Sequence, residues 1–225
     1  FDGGWSNKGA DEILDILKEK NVRSTMFLSG LFIERFPETV RRIVDDGHEI
    51  GNHTYSHISL TTYAQDSIHK TLPEVTFEKF QKELTDTESL FRTVTGGSMT
   101  EFWRAPFGEQ NEELRLWAAY AGYRHVSWTY DPIKDKSMDS HDWVTDKESH
   151  LYKTADEMVD YLLNFSENDP NGANGSVILM HLGTDRSEEF LYEALPSIID
   201  GFRKMEYRLS TISELVQDYI NLSGK

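Results

Sequence analysis

Apolar positions in this chain follow two spacings that alternate along its length. Over 10–20, Ile13, Leu14, Ile16 and Leu17 share one side of a 3.6-residue helix, and the apolar run 24–28 follows as a short buried strand. Pro37 suits a first helical turn, Val40, Ile43 and Val44 carry that helix to Gly47, and 48–52 reads as strand. Thr76 is placed to cap a helix through about residue 94 that ends at Gly96-Gly97. A strand over 101–104, a helix over 112–121 stopped by Gly122 and a strand over 123–130 come next. Thr154 can cap a helix carrying Met158, Val159, Leu162 and Leu163, and 168–172 reads as loop. The chain closes with an apolar strand over 177–180, a helix over 188–204, a strand over 207–210 and a helix from Ser213.

Strands alternating with helices imply a parallel sheet. Six or seven such units without an internal repeat suit a closed barrel better than a small open sheet. Two polar, irregular stretches, 61–75 and 132–153, are longer than ordinary connections and are expected to run over one rim. No Gly/Ser-rich linker divides the chain, so 1–225 reads as one domain. Its opening on Phe1-Asp2-Gly3-Gly4 resembles the end of a strand, which leads us to expect a truncated start.

Composition narrows the function. Hydrophobic residues make up 38% of the chain and aromatic residues 12%, a globular balance. A formal charge of −16 without a basic patch argues against nucleic acid and against an anionic membrane surface. With no cysteine, any metal must be held by nitrogen and oxygen. No apolar run approaches the length of a membrane span.

The candidate chemistry starts at His53-Thr54-Tyr55-Ser56-His57, where two imidazoles four residues apart can face one ion from a helical turn or a tight loop. In a parallel barrel, chemistry gathers where strands end. Asp2, His53, His57, Arg104, Asp131 and His181 all occupy such positions. Each also has a plainer reading: a turn cap for Asp2, surface or packing histidines for His53 and His57, a surface ion pair for Arg104, a turn start before Pro132 for Asp131, and a core histidine for His181. Trp143, in the second long excursion, is the candidate sugar contact, while Trp5, Trp103 and Trp128 read as core. His48, His69, His125, His141 and His150 are read as structural or solvated.

Together these segments resemble the NodB-type polysaccharide deacetylases of carbohydrate esterase family 4. Phe1-Asp2-Gly3-Gly4 is similar to that family's Thr-Phe-Asp-Asp-Gly, and His53-Thr54-Tyr55-Ser56-His57 to its His-Ser/Thr-x-x-His. Arg104-Ala105-Pro106-Phe107 matches its Arg-x-Pro-Tyr/Phe, Trp128-Thr129-Tyr130-Asp131 resembles its fourth motif, and Leu179-Met180-His181 its terminal Leu-x-His. The resemblance implies a distorted (β/α)7 barrel and metal-dependent removal of acetyl groups from N- or O-acetylated polysaccharides or oligosaccharides: peptidoglycan, chitin-type, xylan or exopolysaccharide. It implies one divalent ion on His53 and His57, zinc first, with cobalt, manganese or nickel as substitutes. Asp2 would be the base, Arg104 its orienting cation, His181 the acid and Asp131 the partner that raises the acid's pKa, with the Phe107 N–H as oxyanion donor. The family's substrates imply an extracellular, periplasmic or cell-wall setting. Gly3 departs from the pattern, because a second carboxylate usually stands there as a metal ligand. Water or another side chain, Asp2 itself, or simply weak binding could answer for it, and Gly3→Asp is expected to tighten the ion. The alternatives are a sugar-binding barrel that has lost its metal and an amidase acting on a non-sugar amide.

Overall fold

In the computed structural model, which describes residues 1–165, 167 and 172–223, five short parallel strands stand side by side in sequence order. They are β1 (Asp2–Gly3), β2 (Thr25–Leu28), β3 (Glu49–Asn52), β4 (Phe102–Trp103) and β5 (Arg124–His125). Phe27 lies opposite Asp2 and Gly51, and Asn52 opposite Trp103, so the strand ends that carry the candidate residues are level with one another. Every residue of β2 is buried, as expected of a strand covered on both faces.

Two further extended segments complete the ring. The Asp2 N–H donates to the Met180 carbonyl at 2.8 Å, and the Leu182 N–H to the Asp2 carbonyl at 2.9 Å. On the other side the Leu179 N–H donates to the Met138 carbonyl at 2.8 Å, and the Ser140 N–H to the Leu179 carbonyl at 3.0 Å. Thr129 bridges the gap beyond β5: its N–H reaches the Val177 carbonyl at 3.0 Å, and its carbonyl accepts the Met138 N–H at 2.8 Å. The result is a distorted (β/α)7 barrel. Distortion concentrates where the ladder thins to isolated bridges, Asp2 with His181 and Asp139 with Leu179.

The helices follow the expected faces. On α1 (Ala10–Glu19), Ile13, Leu14 and Leu17 are buried and join Leu195, Ile198 and Phe202 in the main core cluster. Each such side chain contributes roughly 1.5–3 kcal/mol by leaving water. A short helix α2 (Gly30–Arg35) stands between β2 and α3 (Pro37–Asp45), and was not anticipated because six residues are too few to show a period. Ser29 starts it, accepting the Phe32 N–H at 3.0 Å and donating to the Gly4 carbonyl at 2.5 Å, which ties β1's loop to β2's. The 61–75 excursion contains α4 (Tyr63–Asp66), and Thr76 caps α5 (Phe77–Thr95), which ends at Gly96 with φ 75°. Asn111 caps α6 (Glu112–Tyr120).

Past β5 the expected strand over 123–130 breaks, and its end becomes β6 (Tyr130–Asp131), paired with β7 (Lys136–Ser137) in a hairpin. A capping box of Thr154 and Glu157 opens α7 (Ala155–Leu163). Most of the expected loop at 168–172 lies outside the described residues. The penultimate helix, α8 (Leu191–Lys204), begins three residues later than its pattern suggests. The expected strand over 207–210 joins no sheet and leads directly into α9 (Ile212–Ser223). No described helix is long and apolar enough to cross a membrane.

Candidate active site

His53 and His57 sit on a tight loop at the end of β3, not on a helical turn. Their rings meet edge to face with centroids 4.8 Å apart. Thr54 and His57 adopt φ 61° and φ 51°, a region that bulky residues occupy only when their surroundings hold them there. Asn52 Oδ1 accepts the Thr54 N–H at 2.9 Å, and the Glu83 carboxylate accepts the Tyr55 and Ser56 N–H groups at 2.8 and 2.7 Å. Buried Glu109 takes the Leu60 and Thr61 N–H groups just beyond the loop. Neither glutamate carries a sequence signal, since each acts across more than 25 residues of chain.

Asp2 and Arg104 form a buried pair, Nη1 to Oδ1 at 2.8 Å. The guanidinium also donates to the carbonyls of Val126 and Ser127 and lies over the Phe27 ring, 4.3 Å from its centroid. Burial by itself would raise the Asp2 carboxyl, but Arg104 and then His53 outweigh it and hold the carboxyl at about 2. Asp2 is therefore an anion at neutral pH, with its Oδ2 3.7 Å from His53 Nε2.

The partner of His181 corrects the sequence reading. His181 Nδ1 lies 2.9 Å from Asp142 Oδ1, and the His181 N–H donates to Asp142 Oδ2 at 3.0 Å. Asp131 is instead consumed by its own turn: its Oδ1 accepts the N–H groups of Ile133 and Lys134, and it lies outside the cleft. Asp135 likewise accepts from the Tyr130 hydroxyl on the exposed hairpin. Although burial favours neutral forms of both groups, the contact lowers Asp142 and raises His181. With Asp142 ionised, His181 Nδ1 is the donor and Nε2 is left for other chemistry. The adjacent Asp142-Trp143 was the available sequence signal: the fourth motif of the resembled family sets an aspartate close to a tryptophan, a pairing that Trp128-Thr129-Tyr130-Asp131 lacks.

A cleft of about 410 Å³ brings Asp2, His53, His57 and His181 together, with Trp5, Phe107, Trp128 and Trp143 among its walls. Trp143 is 48% exposed and is fixed by its Nε1, which donates to Asp139 Oδ2 at 3.1 Å. Trp5 is no core residue: it is 49% exposed, with its ring edge-on to His57 at 5.1 Å. Trp128 also reaches the cleft, whereas Trp103 is fully buried. Phe107 packs its ring edge-to-face with His57, and its backbone at φ 58°, ψ 12° sits at the cleft wall.

The histidine pair fits a divalent ion in kind. His53 Nδ1 is bound to the Arg104 carbonyl at 2.8 Å, which leaves Nε2 unprotonated toward Asp2. The His57 ring has no hydrogen-bond partner among the described residues, and its Nδ1 is buried. Desolvation lowers His53, and desolvation followed by His53 lowers His57 to about 3, so both imidazoles stay neutral at physiological pH. No third histidine or carboxylate completes a cluster among the described residues. Asp2 Oδ2 is the nearby carboxylate oxygen.

The glycines of the first loop change the expectation for the vacant ligand position. A Cβ on Gly3 would meet Leu28 Cδ2 at 2.8 Å and the Phe32 ring at 3.3 Å, both fully buried. A Cβ on Gly4 would instead lie 3.1 Å from His57 Nε2. The side chain of position 3 thus starts into packed core, and only a glycine at position 4 leaves the His57 edge clear. Gly3→Asp is now expected to destabilise the fold by about 1–3 kcal/mol through overpacking and an unpaired carboxylate. Urea unfolding measures this; an unaltered midpoint together with tighter metal binding would restore the original expectation.

A polysaccharide deacetylase family model matches residues 1–126. A peptidoglycan-N-acetylglucosamine deacetylase of Bacillus cereus is 30% identical over 217 residues, covering 96% of this chain and 66% of that protein. A peptidoglycan-N-acetylmuramic acid deacetylase of Bacillus subtilis is 27% identical, covering 96% of this chain and 69% of its own length. The chain therefore spans about two-thirds of these relatives. A solved peptidoglycan N-acetylglucosamine deacetylase in complex with 4-naphthalen-1-yl-N-oxidanyl-benzamide superposes with a TM-score of 0.74 at 30% identity, covering 96% of this chain and 85% of that one. With the family model covering more than half of its residues, the barrel shared and the acidic, basic and imidazole groups gathered at its mouth, this chain belongs to the polysaccharide deacetylase family, the NodB-type group of carbohydrate esterase family 4.

Proposed function

We propose that this chain hydrolyses the acetamide of N-acetylated sugars in a glycan of peptidoglycan or chitin type, outside the cytoplasm, with a divalent ion on His53 and His57. One observation carries the reading: an ionised buried carboxylate, Asp2, and a carboxylate-backed imidazole, His181, line one cleft with a neutral histidine pair. The ion, zinc by preference, would polarise the acetyl carbonyl and acidify water. Asp2, kept anionic by Arg104, takes a proton from the attacking water. The Phe107 N–H is the chain's own donor toward the developing oxyanion. His181, charged through Asp142, gives the proton from Nε2 to the departing sugar nitrogen, which would otherwise leave as a poor amide anion. Trp143 and Trp5 offer faces for sugar rings.

The charge of the cleft favours a neutral sugar. At the reaction centre Arg104 and the proposed ion offset Asp2, but away from it the described lining adds Asp139 and Asp185 and no lysine or arginine. A muramic lactyl carboxylate would meet like charge there, whereas N-acetylglucosamine would not. The test is acetate release from a panel of neutral N-acetylglucosamine oligomers, muramic-containing glycan and acetylated xylan, with metal analysis on the same protein. The expected result is preference for the neutral oligomer and one ion per chain, lost together with activity in His53→Ala/His57→Ala. Undiminished metal in that double variant, or no acetate from any substrate by a metal-loaded protein, would refute the reading. The second outcome would favour the sugar-binding barrel.

A further inference from the structure

We infer that Arg186 is a positioning residue for the His181–Asp142 pair, acting through the strained turn that carries Asp142; this rests on the acid role given to His181 above. Arg186 is 2% exposed, and among the described residues no carboxylate is a hydrogen-bond partner of it. Its Nε donates to the Val144 carbonyl at 2.7 Å, Nη1 to those of Lys153 and Glu189 at 2.9 Å each, and Nη2 to that of His141 at 2.8 Å. The guanidinium also lies over the Tyr152 ring, 4.4 Å from its centroid. A buried cation spread over four neutral carbonyls from three separate stretches gathers backbone; it does not neutralise an acid.

The gathered backbone is the part that aims Asp142. His141 adopts φ 57°, a conformation that a bulky residue keeps only when its surroundings impose it. Asp139 Oδ1 accepts the His141 N–H at 2.7 Å on one side of that strain. Arg186 holds the His141 carbonyl, which is the peptide before Asp142. Thr184 Oγ1 holds the Asp142 carbonyl at 3.1 Å, which is the peptide after it, and accepts the Arg186 N–H at 3.2 Å. Both peptide planes flanking Asp142 are therefore pinned by residues three and five positions beyond His181. One short segment supplies the imidazole and grips the frame of its partner, so the pair moves as a unit.

Lysine cannot reproduce a planar fork with five donors, so Arg186→Lys should behave like Arg186→Met. Both variants, with Thr184→Val as a milder change at the second hold, are assayed on an N-acetylglucosamine oligomer and on an aryl acetate. The aryl acetate has a leaving group that needs no proton. Turnover on the N-acetyl substrate should fall on the order of 10–10²-fold, as misplaced catalytic groups cost, with little change on the aryl ester. Adding Arg186→Met to His181→Ala should cause no further loss. Equal losses on both substrates, or additive losses in the double variant, would overturn the inference. A readout independent of turnover is the downfield proton resonance of His181 Nδ1–H on Asp142. It should broaden or vanish in Arg186→Met and persist in a control variant, Lys147→Ala, whose side chain is exposed outside the cleft and pairs with Glu188; an unchanged resonance in a folded Arg186→Met protein also refutes the inference. Loss of that resonance in a chain whose wild type releases no acetate would refute the deacetylase reading and leave the positioning role standing.

Discussion

Asp2→Asn is expected to lower acetate release on the order of 10²–10⁴-fold, the usual contribution of a positioned base, and to weaken the fold as well. The substitution leaves the Arg104 guanidinium buried at 2% exposure with no anion beside it. Removing one member of such a pair costs about 3–5 kcal/mol, and Asn should fall at the lower end because its amide oxygen can still accept one hydrogen bond. The acid limb of stability should change in step. In the folded chain the Asp2 carboxyl sits at about 2 against an ordinary 3.8. The stabilisation from this depression is fully present above 3.8 and is lost as pH falls through 2; it amounts to roughly 2 kcal/mol. Wild type should therefore lose stability between those values more steeply than Asp2→Asn does. Parallel stability curves for the two proteins below pH 4 would remove Asp2 from the stabilising role, and wild-type turnover in the variant would remove it from the catalytic one.

His181→Ala should cost a similar 10²–10⁴-fold on an N-acetylated sugar, on the order of a general acid's contribution, and much less on an ester with a good leaving group. The alkaline limb of the rate belongs to His181, which must be protonated to act. Asp142 raises the imidazole, so the active form persists to higher pH in the wild type than it would alone. Asp142→Asn removes that support, and the alkaline limb should move toward lower pH. Asp131→Asn and Asp135→Asn should leave it in place, because both carboxylates serve the exposed hairpin. A pH–rate profile for each variant decides the matter. A limb that moves with Asp131 and not with Asp142 would contradict the geometry at the cleft.

The difference between Asp131 and Asp142 shows how far the chain could be read without coordinates. Asp131 follows directly on the strand pattern over 123–130 and precedes a proline, so periodicity directs attention to it. Asp142 lies in a polar run with no period of either kind. It acquires its partner only because the 177–182 segment inserts between 138–140 and β1. Glu83 and Glu109 were equally silent, being helix- and loop-borne carboxylates whose backbone partners lie far off in sequence. Trp5 was misassigned for a related reason: an aromatic residue after two glycines reads the same whether the loop turns it into the core or onto the cleft.

Local chemistry by itself determined the helix faces, the caps at Thr76 and Thr154, the barrel class and the positions of Asp2, His53, His57, Arg104 and His181 at strand ends. The faces, caps and strand ends depend on residue type and spacing within one element, where side-chain periodicity and backbone hydrogen bonding act over a few residues, and the barrel class on the number and alternation of such elements. The pairing of His181 with Asp142, the grip of Arg186 on the turn between them, and the inward start of any side chain at Gly3 were decided by tertiary structure alone. Each depends on which distant backbone groups the closed barrel brings within about 3 Å, and hydrogen bonds and steric overlap at that range change with shifts far smaller than any sequence pattern resolves.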